Sequence, residues 1–406
     1  MSDNPVVIAD YNEAWPRQFH VEQDALSHLF VGTGALVEHV GSTAVPGLGA
    51  KPIIDIMLGV TDLALVESRI PQLATLGYEY VPEYEAQLPQ RRYFRKSHSG
   101  TRVNHLHCVV DGSDFWRSQI IFRDYLRTHH TAASAYDLLK RCLAISHGRD
   151  RLGYTEAKGF FIQSVLRAAT NGEPLFRSVS FGDPAYDGPY LRENRDAFDG
   201  PDRTHAQTDY LENALSLTSS VRILDAGCGI GTYTREFAKR GHQTVGLDLS
   251  ATFLNEARQL AGSSSKDASS MRADCRSLPF AHAFDVVIMT GTPFFRDIGE
   301  LRQVCRQVRF VLRPGGRFCF DYTNWRLRSE SENTPRFESW SDGDALVIQR
   351  TDWDALSRKW SFEWVHLNRM GSVFLRSGGE ATCLWPEEVL DTLHSSGYVD
   401  VELLAK

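Results

Sequence analysis

Two stretches of patterned sequence flank an unpatterned one. Residues 5–170 alternate apolar runs of strand length with stretches of helical periodicity. Residues 205–406 do so again, opening with the helical AQTDYLENALSL and the buried-strand run VRILDA. Between them, NGEPLFRSVSFGDPAYDGPYLRENRDAFDGPDR is dense in Gly, Pro and Asp and has few periodic apolar positions. Proline removes helix donors and glycine weakens either element, so this stretch predicts a linker or an arm over a neighbour. The expected organisation is one domain at 1–172, a linker at 173–204 and a second domain at 205–406. The 406 residues suit two cores of about 150–200 residues each. GSSSKDASS, at 262–270, reads as a surface loop inside the second domain.

The strongest local signal is Ile223-Leu224-Asp225-Ala226-Gly227-Cys228-Gly229-Ile230-Gly231, followed by the amphipathic YTREFAKRG. A buried strand runs into a glycine turn that opens a helix, and the glycines let the backbone come close to a ligand. Such a helix N-terminus can hold a pyrophosphate. The spacing argues otherwise: the sixth position of a G-x-G-x-x-G fingerprint is Thr232 here, and the pattern is D-x-G-x-G-x-G. An acid at the strand end repels a pyrophosphate but suits a ligand carrying an ammonium and a sulfonium. That favours S-adenosylmethionine.

Independent positions agree. The strand HQTVGLD ends at Asp248, before Leu249, where a carboxylate can accept both ribose hydroxyls; Asp248 could instead cap the next helix. MRADCRSLPF places Asp274 after a short strand, within reach of an adenine amino group, with the Cys275 amide facing the ring. FDVVIMTGTP gives a fourth strand ending at Thr290, and VLRPGGRFCFDYTN a turn into a fifth. Strands alternating with helices predict a doubly wound parallel sheet with its ligand across the strand C-terminal ends. With these features in order, residues 186–406 resemble the class I S-adenosylmethionine-dependent methyltransferases. The cofactor candidates are Asp225, Gly227, Gly229, Gly231, Asp248, Leu249, Asp274, Cys275 and Thr290.

Methyl transfer is an in-line displacement on an activated carbon, so it needs positioning more than a protein nucleophile. Enzymes that methylate nucleic-acid bases resemble one another in an N/D-P-P-Y/F motif after the fourth strand. Thr290-Gly291-Thr292-Pro293-Phe294 departs from it. Beyond the fifth strand, in an insertion at 326–382, Trp360, Phe362, Trp364 and His366 alternate onto one face of a strand. Similar small-molecule methyltransferases carry an antiparallel lid here; the pattern equally fits a dimer or domain interface. Tyr322, Asn324 and His366 are acceptor-side candidates, and Tyr186 and Tyr190 can cover cofactor or acceptor. The fold normally closes with a two-strand hairpin, yet YVDVELLAK after Gly397 suffices for one strand. The first domain or a second subunit is expected over the resulting sheet edge.

In the first domain, GALVEHVGSTAVPGLGAKPIIDIMLGV (34–60) runs a strand into Gly41-Ser42 and then into a second strand carrying Asp55. Nucleotidyltransferases use such an arrangement, the turn holding a triphosphate and strand carboxylates holding magnesium. The run from His39 to Ile56, with Trp15, His105-Leu106-His107, Phe122 to Arg127, Tyr154 and Lys158, resembles the GrpB family over residues 5–170. That family is similar in fold to nucleotidyltransferases. Active members of that fold pair acids two apart, whereas Ile56 and Met57 follow Asp55, and the later strand offers histidines. The candidate ligand site is Gly41, Ser42, Lys51, Asp55, His105, His107 and Arg123, with Asp55 as a Mg2+ ligand and Mg2+ and ATP as conditional cofactors. His105 and His107 share a strand face and could join Asp55 on a metal or phosphate, or form a hydrogen-bonded structural pair.

Lys plus Arg (44) against Asp plus Glu (51) leaves a net charge of −7. Such a surface has no general attraction for polyphosphates, so no nucleic-acid partner is expected. The opening MSDNPVVIAD lacks the features of a signal peptide, and no apolar run approaches about 18 residues, so no membrane partner is expected either. Seven cysteines without a C-x-x-C pair predict reduced thiols in a cytoplasmic protein. The expected fold is α/β with two domains, a nucleotidyltransferase-like domain and then a Rossmann-like class I methyltransferase with an antiparallel insertion after the fifth strand. The expected activity is methylation of a small molecule, the first domain binding or presenting the acceptor. Two alternatives stay open: a first domain that performs nucleotidyl transfer or ATP-dependent activation, and one that is purely structural or oligomerising. A small-molecule substrate and a second copy of the chain in a homodimer are the expected partners.

Overall fold

Apolar runs bounded by glycine and aspartate become strands in both halves of the computed structural model, which describes residues 6–146, 151–195, 200–262, 268–291, 295–324, 335–368 and 373–404. The first half comprises α1 (Trp15–Leu29), β1 (Leu36–Val40), β2 (Ile54–Val60), α2 (Leu63–Glu67), α3 (Ile70–Thr75), β3 (Tyr78–Tyr80), β4 (Arg91–His98), β5 (Thr101–Val110), α4 (Asp114–Thr128), α5 (His130–Ser146) and α6 (Arg151–Asn171). Its sheet runs β1-β2-β5-β4-β3, with β2 and β5 parallel and the other pairs antiparallel. Helix α1 opens with Pro16 in its first turn, where a missing N–H is no loss. Its buried residues Trp15, Phe19 and Leu26 pack on Ile56, Leu58 and Leu106.

The segment expected as a linker is structured. It forms β6 (Phe176–Ser178) and α7 (Pro184–Glu193), the latter capped by Asp183, whose side chain accepts from the Ala185 amide at 2.9 Å. The second half continues with α8 (Pro201–Ala214), β7 (Arg222–Ala226), α9 (Thr232–Lys239), β8 (Gln243–Asp248), α10 (Ala251–Ala261), β9 (Ala268–Arg272), β10 (Phe284–Met289), α11 (Ile298–Val311) and β11 (Leu312–Phe320). These five strands form the expected parallel sheet, in the order β11-β10-β7-β8-β9. The order reverses between β7 and β10, which opens the crevice where such sheets bind ligands. One expectation is corrected here: Ala268 to Ser270, placed in a surface loop, pair with Thr244 to Gly246 as part of β9.

After β11 come β12 (Arg336–Asp342), β13 (Ala345–Asp354), β14 (Lys359–Asn368), β15 (Phe374–Thr382) and α12 (Pro386–Ser395). A second expectation fails at the end of the chain. Residues 398–404 make no strand, and among the described residues none pairs with the outer edge of β11. Instead Leu384, Val389 and Leu393 pack on Leu301 and Cys305 of α11. The first domain therefore does not extend this sheet.

What the first domain does cover is the insertion. Strands β12 to β15 form an antiparallel sheet, and β6 adds to β15 in parallel. Alternate residues of a strand point to opposite faces. Leu346, Ile348, Val365, Leu367 and Phe374 join Tyr136, Leu139, Leu143, Phe161 and Val165 of α5 and α6 in one buried cluster. Val347, Trp364, Phe362 and Leu375 take the other face, with Tyr186 and Tyr190 of α7. The insertion is thus an interface to the first domain on one face and faces α7 on the other. No helix among the described residues is long and apolar enough to cross a membrane.

Phe374 is fully buried, and its ring stacks on Phe161 at 5.6 Å between centroids. Phe374→Ala should therefore destabilise the full chain by about 3–5 kcal/mol in denaturant unfolding. A loss well below 1 kcal/mol would show that the two halves do not share this core.

Candidate functional site

Strand β7 delivers Asp225 to the C-terminal edge of the parallel sheet, and the following loop turns on Gly227, Gly229 and Gly231, with φ of +82°, +55° and +74°. L side chains rarely adopt such values, so the turn requires glycine. Asp225 is buried; its Oδ2 accepts from Thr234 Oγ1 at 2.6 Å, and its Oδ1 has no hydrogen-bond partner. Burial pushes its carboxyl up to about 6. Asp248 ends β8, where its Oδ2 accepts from the Gly229 amide at 2.9 Å and its Oδ1 from the Ser250 amide at 2.8 Å. Its carboxylate thus ties the glycine loop to the next turn. Ser250, not Asp248, caps α10, its Oγ accepting from the Phe253 amide. Burial raises the Asp248 carboxyl as well.

A third acid joins them from the arm. Asp187 of α7 is fully buried and accepts from the Gly182 amide at 3.0 Å, with the Ser250 hydroxyl beside it. Burial raises its carboxyl too, and its charge is among the influences that raise Asp248. Nothing local marked Asp187 out; Asp183, four residues earlier, is the obvious cap. Tyr186 stacks on Tyr190 at 5.8 Å, and Tyr190 and Leu191 pack with Ile230 of the glycine loop and Phe253.

Other residues lie in different company from that expected. The Asp274 carboxylate sits in a fork with Arg276, at 2.7 to 3.0 Å, and Arg276 also reaches Glu300. That hydrogen bond, ahead of an opposing effect of burial, holds the Asp274 carboxyl below its usual range. Cys275 is half-buried, and burial pushes its thiol up to about 11. Leu249 is exposed, and its carbonyl accepts from Arg272 Nε. Thr290 follows β10, next to Gly291, whose amide donates to Asp321. Tyr322 packs beside Leu384 and Val389, and Asn324 is half-buried beyond β11. Thr292, Pro293 and Phe294 lie outside the described residues, as does the start of the insertion at 326–334.

His366 lies on the α7-facing side of the antiparallel sheet, its ring 5.7 Å from Trp364. Its Nε2 is 3.0 Å from Asp342 Oδ2, and the buried Nδ1 has no partner. Arg192 of α7 grips Asp342 with two bonds of 2.8 Å, which holds that carboxyl low. Consecutive residues, Leu191 and Arg192, therefore link the glycine loop to the His366 pair.

In the first domain, Gly41 leads into a short 3-10 turn, Ser42–Ala44, beneath Asp55. Strands β2 and β5 set Asp55 opposite His105. His105 Nδ1 donates to Asp55 Oδ1 at 3.0 Å, and His107 Nε2 lies 3.9 Å from the same oxygen. Burial works to raise the Asp55 carboxyl, but the hydrogen bond from His105 and the nearby His107 ring outweigh it and hold it far below the usual range. Burial lowers His107. Lys51 and Lys158 place their ammonium groups 4.6 and 4.4 Å from the Tyr154 ring centre. Ser42 Oγ accepts from Lys140 Nζ at 3.2 Å, and burial takes that lysine down to about 7. Lys140 was missed, although it sits four residues after Tyr136 on the buried stripe of α5. Arg123 is a tie of α4 to β1, donating to Glu38, Asp124 and the His39 carbonyl. Magnesium does not fit this donor set, because it demands oxygen ligands and Asp55 brings the cluster's one carboxylate.

Comparison with known proteins matches both halves. The family model described as GrpB protein covers residues 5–168, and that described as a methyltransferase domain covers residues 223–316. UPF0157 protein YqkA of Bacillus subtilis is 34% identical over 160 residues, 39% of this chain and 46% of its own length. The glutamate-rich protein GrpB of Alkalihalophilus pseudofirmus is 32% identical over 165 residues, 40% of this chain and 94% of its own. A malonyl-[acyl-carrier protein] O-methyltransferase of Enterobacter lignolyticus is 34% identical over 142 residues, 32% of this chain and 54% of its own. The chain thus spans about half the length of YqkA and of the methyltransferase.

Gly41 has φ +71° and ψ −171°, a region essentially closed to other residues, and an added Cβ would fall 2.4 Å from Asp55 Oδ2. Gly41→Ala should therefore cost about 1–3 kcal/mol in thermal or denaturant unfolding. Unchanged stability would show that the Asp55 carboxylate does not rest on this turn.

Proposed function

Because the chain belongs to the GrpB family through residues 5–168 and carries a methyltransferase domain at 223–316, we propose that it methylates a small molecule with S-adenosylmethionine. On this proposal the acceptor lies between the glycine loop and the antiparallel sheet, and the first domain presents it by holding that sheet. The observation that carries the proposal is the gathering of Asp187, Asp225 and Asp248 around the glycine loop, all three raised by burial. The hydrogen bonds to Asp225 and Asp248 come from a hydroxyl and backbone amides. Buried like charges raise one another's pKa and call for a cation. A phosphate-bearing coenzyme would add to the negative charge, whereas an ammonium and a sulfonium offset it.

The residues present fit S-adenosylmethionine. Asp225 has an oxygen without a partner, and no side chain would come within 4 Å of a Cβ added at Gly227. Bound there, the cofactor supplies a methyl carbon activated by a positively charged sulfur. The chain's own part is placement, which can contribute up to about 7–11 kcal/mol. Asp225 and Asp248 set the charge of the pocket, and Tyr190 closes over the loop. On the acceptor side, Trp364 and Tyr186 pack edge to face and support the wall of the site. His366 has a bare nitrogen that can take a proton once Asp342 fixes the other. Thr290, Tyr322 and Asn324 border the same end of the sheet. A magnesium- and ATP-dependent first domain draws no support from the Asp55 cluster.

The test is calorimetric titration of the full chain with S-adenosylmethionine, followed by a metabolite screen that monitors S-adenosylhomocysteine. Binding of NADH with exclusion of S-adenosylmethionine would overturn the proposal. The pH dependence has a definite sign. Asp225 ionises near 6 in the folded chain, against about 3.9 when unfolded, so rising pH through that window weakens the unliganded protein. It strengthens the hold on a cation. Affinity for S-adenosylmethionine should fall as pH drops below about 6. Asp225→Asn should lose about 1.5–3 kcal/mol of binding at neutral pH and flatten that dependence.

A further inference from the structure

Methyl transfer leaves the Asp55 cluster of the first domain unexplained. We propose that Asp55, His105 and His107 form a three-ligand site for a borderline divalent metal such as Zn2+, Fe2+ or Co2+, open on its remaining positions to an anionic ligand. The proposal does not rest on the methyltransferase function.

One donor atom from each of these residues lies within 4.8 Å of the others, and among the described residues this is the one such group. The donors stand on adjacent paired strands, where register fixes them, and not on loops. Two Asp55 distances, 3.0 Å to His105 Nδ1 and 3.9 Å to His107 Nε2, are already close to ligand–ligand spacings around an ion with bonds of about 2.0–2.2 Å. Imidazole nitrogens suit Zn2+, Fe2+ and Co2+ and are poor ligands for Mg2+. Three protein ligands also match catalytic rather than structural sites, which keep a position open for water or substrate. Gly41 contributes by absence, since any side chain there would displace the Asp55 carboxylate.

The surroundings name the class of the open ligand. Lys51 and Lys158 converge on the Tyr154 ring, and Arg91 lies beside His107. With a divalent ion added to one carboxylate, the cleft becomes strongly positive, which favours a phosphate or carboxylate group. Arg91 has a further part. Its Nη1 is 3.2 Å from His107 Nδ1, and a guanidinium only donates, so without metal the His107 proton resides on Nε2 and faces Asp55. Metal on Nε2 moves that proton to Nδ1 and dislodges Arg91, which already lies over the Tyr93 and Phe115 rings. Metal loading thus frees a guanidinium for the anion.

The full chain, stripped with chelator, is titrated with Zn2+ alone and with Mg2+ alone by calorimetry, and bound metal is counted by mass spectrometry. One equivalent of Zn2+ should bind, at least about 100-fold tighter than Mg2+. Asp55→Asn and His105→Gln should each weaken Zn2+ at least about 10-fold, with circular dichroism confirming that they fold. Co2+ loaded in place of Zn2+ should show a visible absorption band that His107→Gln shifts or removes. Arg91→Ala should bind Zn2+ as tightly as the parent chain or tighter. Asp225→Asn should bind Zn2+ unchanged, which separates this outcome from that of the methyltransferase site. Less than half an equivalent of Zn2+, Mg2+ bound equally well, or binding lost in Arg91→Ala would overturn the proposal.

Discussion

Period-two alternation in an antiparallel sheet with two apolar faces is the constraint on which the architecture rests. Strands β13 and β14 carry Ile348 and Val365 to one side and Val347 and Trp364 to the other, all buried. Such a sheet cannot leave either face in water without exposing a large apolar patch. Helices α5 and α6 cover one face and α7 the other. The insertion is therefore not a free flap on the methyltransferase sheet. It is a shared layer, and its position is set by the first domain.

The same constraint explains why the arm is ordered in spite of its composition. Strand β6 supplies hydrogen-bond partners to Phe374, Leu375 and Arg376, at the edge of β15 that would otherwise be open. Helix α7 tolerates Pro189 because its hold is tertiary: Tyr186 meets Trp364, Leu191 meets Ile230, and Arg192 meets Asp342. A segment poor in periodic apolar positions can still be fixed when a few large side chains each find a buried seat. Propensity is a weak prior against such contacts.

What was legible in the chain was local. The Asp225 to Gly231 loop announces itself because strand end, glycine turn and helix start fall within the seven residues from Ala226 to Thr232. That the sheet is parallel followed from alternation of strands and helices, while its order did not. The partner of the insertion was not legible, since Trp360 to His366 show that two faces exist without saying what meets each. Ion pairs were equally hidden. Arg276 lies two residues from Asp274, yet its bidentate grip depends on the turn between them, and Arg192 meets Asp342 across 150 positions. Asp187 became visible as a pocket acid when α7 was seen to lie against α10. The absent closing strand was half legible: the length of the tail implies an open sheet edge, but not that α12 packs on α11 and that no described residue pairs with the outer edge of β11.

The two clefts are electrostatic opposites, and this follows from which charges each fold element buries. Around the glycine loop the buried ionisable groups are Asp187, Asp225 and Asp248, each held towards its neutral form by the loss of water. Around Asp55 the order is reversed: burial works on Lys140 and Lys158, drawn down to about 7 and about 8, while Asp55 stays ionised through its histidines. A ligand that relieves one cleft aggravates the other. Under the proposed assignments a cationic cofactor therefore suits the parallel sheet and an anionic ligand the mixed one.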